Sequence, residues 1–250
     1  MIVFLQNLFR FIVFFFVDFF YRLVFRSYVI GTENIPRNGG ALIAPNHISG
    51  WDVFIVPYFA LNRFSSRQMW APAKEELFSF PPMGWVLHIL RAFPVRRKKS
   101  DYASRDRTAE ITRDHLVMIF PEGTRSKNGK LGRGRPGVGK IIWDSRVPVI
   151  PTLVINTNYC VIPGLFMLNF FQKLYVVYGK PLDFSRFWGR EDTKETSQEV
   201  ADYLMKEIAR MKEEYKHLDS THEWIKRRVE AKYRRYEEKI KMMDDADSGG

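Results

Sequence analysis

Two short segments carry side chains whose types and spacing suit chemistry. In Asn46-His47-Ile48-Ser49-Gly50-Trp51-Asp52, an imidazole and a carboxylate stand five residues apart, with a glycine between them. On one regular helix those side chains would diverge, but across a turn at Gly50 they can meet. A carboxylate on one imidazole nitrogen fixes the tautomer, raises the basicity of the other nitrogen and stabilises imidazolium as it forms. Such a pair can take a proton from an alcohol. The spacing alone is common, so its weight comes from its place at the end of one apolar run and the start of another.

The second segment, Phe120-Pro121-Glu122-Gly123-Thr124-Arg125-Ser126, is more specific. Gly123 permits an unusual backbone conformation and the close approach of a ligand. Thr124 and Ser126 add hydroxyls, and Arg125 offers a planar fork suited to phosphate. Glu122 can accept from a substrate hydroxyl or hold an arginine in place.

Both segments follow runs that read as buried strands. Ala41–Ala44, Met69–Ala73, Ala92–Val95, Leu116–Phe120, Val147–Val154 and Leu174–Tyr178 are short, apolar and bounded by Pro, Gly or charge. Between them Trp51–Leu61, Gly84–Leu90, Tyr102–Arg113 and Val138–Ser145 suit helices. The alternation predicts one layered α/β domain over residues 29–190, with a mixed, largely buried central sheet flanked by helices. Both candidate segments then fall at strand ends, where such sheets place their ligands. A charged helical extension is expected over 191–250. Thr196 with Glu199 and Ser220 with Glu223 read as capping boxes, opening helices near Ser197–Lys216 and Thr221–Met243. The second is dense in base, from Lys226 to Arg235, and suits either solvent or an anionic membrane.

Composition bounds the partners. The net charge of +11 calls for an anionic one: nucleic acid, a phospholipid surface or a phosphorylated substrate. Cys160 is the lone cysteine, which rules out an internal disulfide framework and a cysteine-rich metal site. The first 28 residues choose among the anions. They are rich in Phe, yet Arg10, Asp18, Arg22 and Arg26 interrupt them, so no run approaches the roughly 20 apolar residues of a spanning helix. On a helical wheel Ile2, Leu5, Phe9, Ile12, Phe16, Phe19 and Leu23 form one stripe, with Asp18, Arg22 and Arg26 opposite. The expectation is an interfacial helix on a bilayer, with Phe at the acyl boundary and Arg near lipid phosphates; the alternative is a helix docked on the protein's own core.

Together the two motifs resemble the 1-acyl-sn-glycerol-3-phosphate acyltransferase family, glycerolipid acyltransferases with a His-four-residues-Asp motif. Phe120 to Ser126 is similar to that family's Phe-Pro-Glu-Gly-Thr-Arg-Ser block letter for letter. Two weaker blocks follow the same order: Ala92-Phe93-Pro94-Val95-Arg96-Arg97, with Arg97 at the family's phosphate-contacting arginine, and the apolar Val147-Pro148-Val149-Ile150-Pro151. The resemblance covers about residues 30 to 190. It implies transfer of a fatty acyl chain from acyl-CoA or acyl-ACP to the sn-2 hydroxyl of lysophosphatidic acid, giving phosphatidic acid. His47 would be the general base, Asp52 its support, and Arg97, Glu122, Gly123, Thr124, Arg125 and Ser126 the acceptor site. No covalent enzyme intermediate, cofactor or metal is implied, and the thioester carrier enters as co-substrate. Another lysophospholipid or glycerol 3-phosphate would suit the same motifs. The expected partners are therefore a bilayer, a lysophospholipid and the donor, without nucleic acid, at the cytoplasmic face of the cell membrane.

Other patterns are set aside. The glycines of Gly132–Lys140 partly fit two nucleotide-binding fingerprints, but they follow no strand directly and Ile141 replaces the magnesium-binding hydroxyl. A lipase-like hydrolase would call for a Gly-x-Ser-x-Gly elbow, which the sequence lacks. A lipid-binding protein without turnover would not need both His47 and Asp52.

Overall fold

The computed structural model describes residues 12, 15, 16, 18, 19, 22, 25–62, 67–89, 91–95, 102–165 and 167–248. In chain order the larger elements are β1 (Tyr28–Ile30), β2 (Ala41–Pro45), α1 (Asp52–Asn62), β3 (Met69–Lys74), α2 (Pro81–Ile89), β4 (Ala92–Val95), α3 (Tyr102–Asp114), β5 (Leu116–Met118), α4 (Pro136–Ser145), β6 (Val149–Ile155), β7 (Val161–Ile162), β8 (Met167–Leu168), β9 (Tyr175–Tyr178), α5 (Lys194–Glu214) and α6 (Glu223–Ser248). Seven strands form one sheet in the order β1-β9-β6-β2-β5-β3-β4, and β7 with β8 makes a separate hairpin. β1 and β9 run opposite to the other five, so the sheet is mixed as expected.

All five residues of the central strand β2 are buried. Alternation along a pleated strand sends neighbouring side chains to opposite faces, so a strand covered on both sides reads as continuous apolar sequence. Ala41 and Ile43 meet Ile55, Val56 and Phe59 of α1 in one core layer. Leu42 and Ala44 meet Val138, Ile141 and Ile142 of α4 and Val200, Leu204 and Ile208 of α5 in the other. α5 thus joins the same core as the sheet. It is capped by Thr193, whose Oγ1 accepts from the Thr196 amide at 3.1 Å. The expected capping box at Thr196 and Glu199 is therefore corrected: Thr196 is a buried first-turn residue, and Glu199 pairs with Arg190. α6 begins at Glu223 and buries Ile225 and Val229.

The glycines set aside above have packing roles. A Cβ at Gly139 would stand 1.7 Å from the Ser197 carbonyl of α5, and one at Gly134 would stand 2.8 Å from Met205 Cγ. Pro136 opens α4 at a position where its missing N–H costs nothing. No helix among the described residues is long and apolar enough to cross a membrane. The amphipathic helix expected over residues 1–28 lies, as a whole, outside the described residues. Of the residues described in that stretch, the Asp18 carboxylate accepts from Arg22 at 2.8 Å and from Tyr58 of α1.

Candidate active site

β5, β2 and β6 are neighbours running parallel, so their C-terminal ends open at one edge of the sheet. That topology gathers segments far apart in sequence. His47 and Asp52 follow β2, Pro121–Ser126 follow β5, and Thr157 follows β6. The site sits at the crevice outside the carboxyl ends of the strands, as expected of α/β sheets.

The turn after β2 is held by hydrogen bonds at almost every position. Asn46 is buried and mimics one more strand residue: Oδ1 accepts from the Val154 amide at 2.7 Å, and Nδ2 donates to the Val154 carbonyl at 3.2 Å. His47 Nδ1 lies 2.9 Å from Asp52 Oδ2. The same oxygen accepts from the amides of Ile48 and Ser49, each at 2.8 Å, and Oδ1 accepts from the Thr157 hydroxyl. Asp52 is fully buried and opens α1, where the helix dipole favours a carboxylate. The other neighbours of this carboxylate are all donors, an arrangement that favours the His47 tautomer with its proton on Nδ1. The His47 ring stacks on Phe120 with centroids 3.8 Å apart and planes 17° apart, which fixes its plane as well as its tautomer.

Glu122 joins the two loops. It is 4% exposed, and its oxygens accept from the amides of His47 at 3.0 Å and Gly132 at 2.8 Å. A Cβ at Gly132 would come within 2.7 Å of that carboxylate. Glu122 is therefore a positioning residue, with both oxygens engaged by the backbone. Ser126 acts similarly: its amide donates to the His47 carbonyl at 2.7 Å, and its hydroxyl to the Lys130 carbonyl at 2.8 Å. Gly123 adopts φ +69°, open to glycine at little cost. The amides of His47, Ile48 and Ser49 are all occupied by carboxylates of the site itself.

Thr124 and Arg125 are exposed, and a Cβ on Gly50 would stand 3.7 Å from an Arg125 Nη1. Both line an open basin of about 580 Å³ that also collects Lys127, Lys130, Arg133 and Arg135. Arg133 pairs with Asp202 at 3.4 Å, and the other four cations, Arg125, Lys127, Lys130 and Arg135, leave the basin with an excess of positive charge that suits an anion. α6 backs it: a Cβ on Gly129 would strike the Tyr233 ring at 2.8 Å, and Lys127 lies over Tyr236. Burial pushes the Tyr233 phenol above its ordinary value, while a hydrogen bond to Asn158 and the Arg125 guanidinium pull it back. Burial also raises the Cys160 thiol far above its usual range, with the Asp52 charge adding to the shift. No thiolate nucleophile is available there at neutral pH. Among the described residues no group of His, Cys, Asp and Glu is placed to hold a metal ion.

The structure thus brings together His47, Asp52, Glu122, Gly123, Thr124, Arg125 and Ser126, while Arg97 lies outside the described residues. Sequence reasoning missed Thr157 and the structural part of Asn46. Nothing in the local sequence of Thr157 signals contact with a carboxylate 105 residues earlier.

An imidazole–carboxylate pair thus stands beside a cation-lined basin at the strand exits of an α/β sheet. The family model described as acyltransferase matches residues 26–155, just over half of the chain. A chloroplastic 1-acyl-sn-glycerol-3-phosphate acyltransferase from Brassica napus is 26% identical over 63% of this chain and 45% of its own length. One from Borreliella burgdorferi is 26% identical over 74% of this chain and 72% of its own. A crystal structure of the 1-acyl-sn-glycerophosphate acyltransferase PlsC from Thermotoga maritima shares the fold, with a TM-score of 0.51 and 21% identity over 74% of this chain and 72% of that one. The chain belongs to the acyltransferase family, the one that holds these 1-acyl-sn-glycerol-3-phosphate acyltransferases. It spans under half the length of the Brassica relative.

Proposed function

We propose that this chain transfers a fatty acyl group from a thioester donor, acyl-CoA or acyl-ACP, to the sn-2 hydroxyl of 1-acyl-glycerol-3-phosphate, giving phosphatidic acid. The observation that carries the reading is the 2.9 Å contact between His47 Nδ1 and the buried Asp52, which leaves Nε2 as a base. Nε2 takes the proton of the acceptor hydroxyl as its oxygen attacks the thioester carbon. The C–S bond then breaks, and the imidazolium returns the proton to the departing thiolate. Asp52 stabilises the imidazolium between those steps, and general base assistance of this kind contributes about 10²–10⁴-fold. The acceptor's own hydroxyl is the nucleophile, so no acyl-enzyme forms.

The acceptor phosphate is assigned to Arg125 and Arg97, with Thr124 beside them. Glu122, Gly123 and Ser126 shape the loop that presents Arg125. Holding the acceptor in line with Nε2 can supply several kcal/mol through positioning alone. The domain works at the cytoplasmic face of a membrane, where the lysophospholipid resides. The names of the relatives support lysophosphatidic acid as acceptor, and the basic basin supports a phosphorylated one.

The test is product identification by mass spectrometry. Purified protein in detergent would be given acyl-CoA or acyl-ACP with lysophosphatidic acid, a larger-headgroup lysophospholipid or glycerol 3-phosphate, each in turn. Phosphatidic acid as the main product is expected. A different lysophospholipid product would move the acceptor, and free fatty acid irrespective of acceptor would sink the transferase reading.

A further inference from the structure

The stretch from Cys160 to Gln172 carries no charged residue, in a chain whose net charge is +11. It forms the β7–β8 hairpin and the turn that follows it. Its anchoring residues face inward: Cys160 is fully buried, Ile162 is 7% exposed and Gln172 is 6% exposed. The Asn169 amide closes the hairpin on the Cys160 carbonyl at 2.8 Å, and Gln172 Nε2 donates to the Thr221 hydroxyl at 2.9 Å just before α6. Rigidly held in this way, the hairpin turns Val161, Leu165, Met167, Phe170 and Phe171 out of the fold, at 40–63% exposed.

A soluble surface seldom carries so many large apolar side chains in one place, and such patches mark partner or membrane contacts. Phe171 sharpens the point. It holds a left-handed φ of 65°, which suits Gly or Asn better than a bulky ring, and that ring is 63% exposed. Cations flank the patch: the Arg26 guanidinium sits 5.3 Å from the Phe171 ring centroid, and Arg228 of α6 reaches the Pro163 carbonyl at 3.5 Å. Apolar side chains bordered by Arg suit a bilayer, with rings at the acyl boundary and guanidinium groups at lipid phosphates.

We propose that the β7–β8 hairpin and its following turn form a second membrane contact, inserting Leu165, Met167, Phe170 and Phe171 into an anionic phospholipid surface, with Arg26 and Arg228 on the headgroups. The choice of occupant rests on the membrane-surface reading above. The placement has a consequence for the site. Thr157, which holds Asp52, stands four residues before Val161 in the chain, so the hairpin would seat the strand-exit edge of the sheet at the bilayer.

The test is sedimentation of the full-length protein with vesicles of phosphatidylcholine and phosphatidylglycerol. Leu165→Asp/Met167→Asp/Phe170→Asp is expected to lower vesicle partitioning at least tenfold, with an unchanged circular dichroism spectrum. In parallel, Leu165→Cys labelled with an environment-sensitive dye should shift to the blue on adding those vesicles; Cys160 is buried and takes no label. If the unaltered chain binds and the triple variant binds equally, with no shift of the dye, the hairpin inference falls and the membrane reading survives. If the unaltered chain does not bind, both fall. A lipid-free dimer that the triple variant turns into a monomer would make the patch a subunit interface and overturn the inference.

Discussion

The turn after β2 and the loop after β5 stand side by side at the sheet edge, yet they are built on opposite plans. In the first, Asn46, His47 Nδ1, the Ile48 and Ser49 amides and both Asp52 oxygens are hydrogen-bonded, and Asp52 is fully buried. In the second, Glu122 and Ser126 fix the root and Tyr233 and Tyr236 of α6 back the loop, while the side chains of Thr124, Arg125, Lys127 and Lys130 are exposed. Proton transfer needs one tautomer and one ring plane, which the first turn enforces. A phosphate can be held by several cations in several geometries, which the second allows. On the proposed function the pair of plans separates chemistry from recognition, and substitutions should separate them too.

The largest effect is expected at Asp52. Asp52→Asn keeps the shape of the side chain but presents an amide that can donate to Nδ1, favouring the wrong tautomer. A fall in kcat on the order of 10³-fold or more, with an acceptor KM within about threefold, is expected from comparable catalytic pairs. An effect confined to KM would erase the distinction between the two loops. Arg125→Ala should do the reverse. Losing a charge-assisted hydrogen bond of about 1.5–3 kcal/mol would raise the acceptor KM about 10- to 100-fold and leave the donor KM alone. Steady-state kinetics in mixed micelles, varying one substrate at a time, would check both. Thr157→Val removes one of the four donors to Asp52 and should lower kcat by about tenfold or less, with no change in acceptor KM. Equal loss in both parameters would mean that the residue supports the fold alone.

Much of this was legible in the sequence, for identifiable reasons. β2, β3, β4, β5, β6 and β9 appear where short apolar runs end in Pro, Gly or charge, and α1 to α4 lie within two or three residues of their expected bounds. The hairpin β7–β8 and strand β1 were not anticipated, because two- and three-residue strands leave too little periodicity to read. The start of α5 was misplaced because Thr193 and Thr196 both suit a cap, and only tertiary burial of Thr196 decides between them. The dyad was visible as a spacing and the second motif as a block, but their meeting depends on β2 and β5 being adjacent and parallel, which no local pattern encodes. Glu122 illustrates the limit: its type suggested a substrate contact, whereas its two partners are backbone amides 75 residues before it and 10 after.

The central claim is that His47 is the base for a hydroxyl acceptor. It is tested most directly by thiol release from acyl-CoA, with and without lysophosphatidic acid, for the unaltered protein and His47→Ala. Release that requires the acceptor, and drops at least about 10²-fold in the variant while its thermal midpoint holds, is the predicted result. Acceptor-dependent release that persists undiminished in His47→Ala would contradict it.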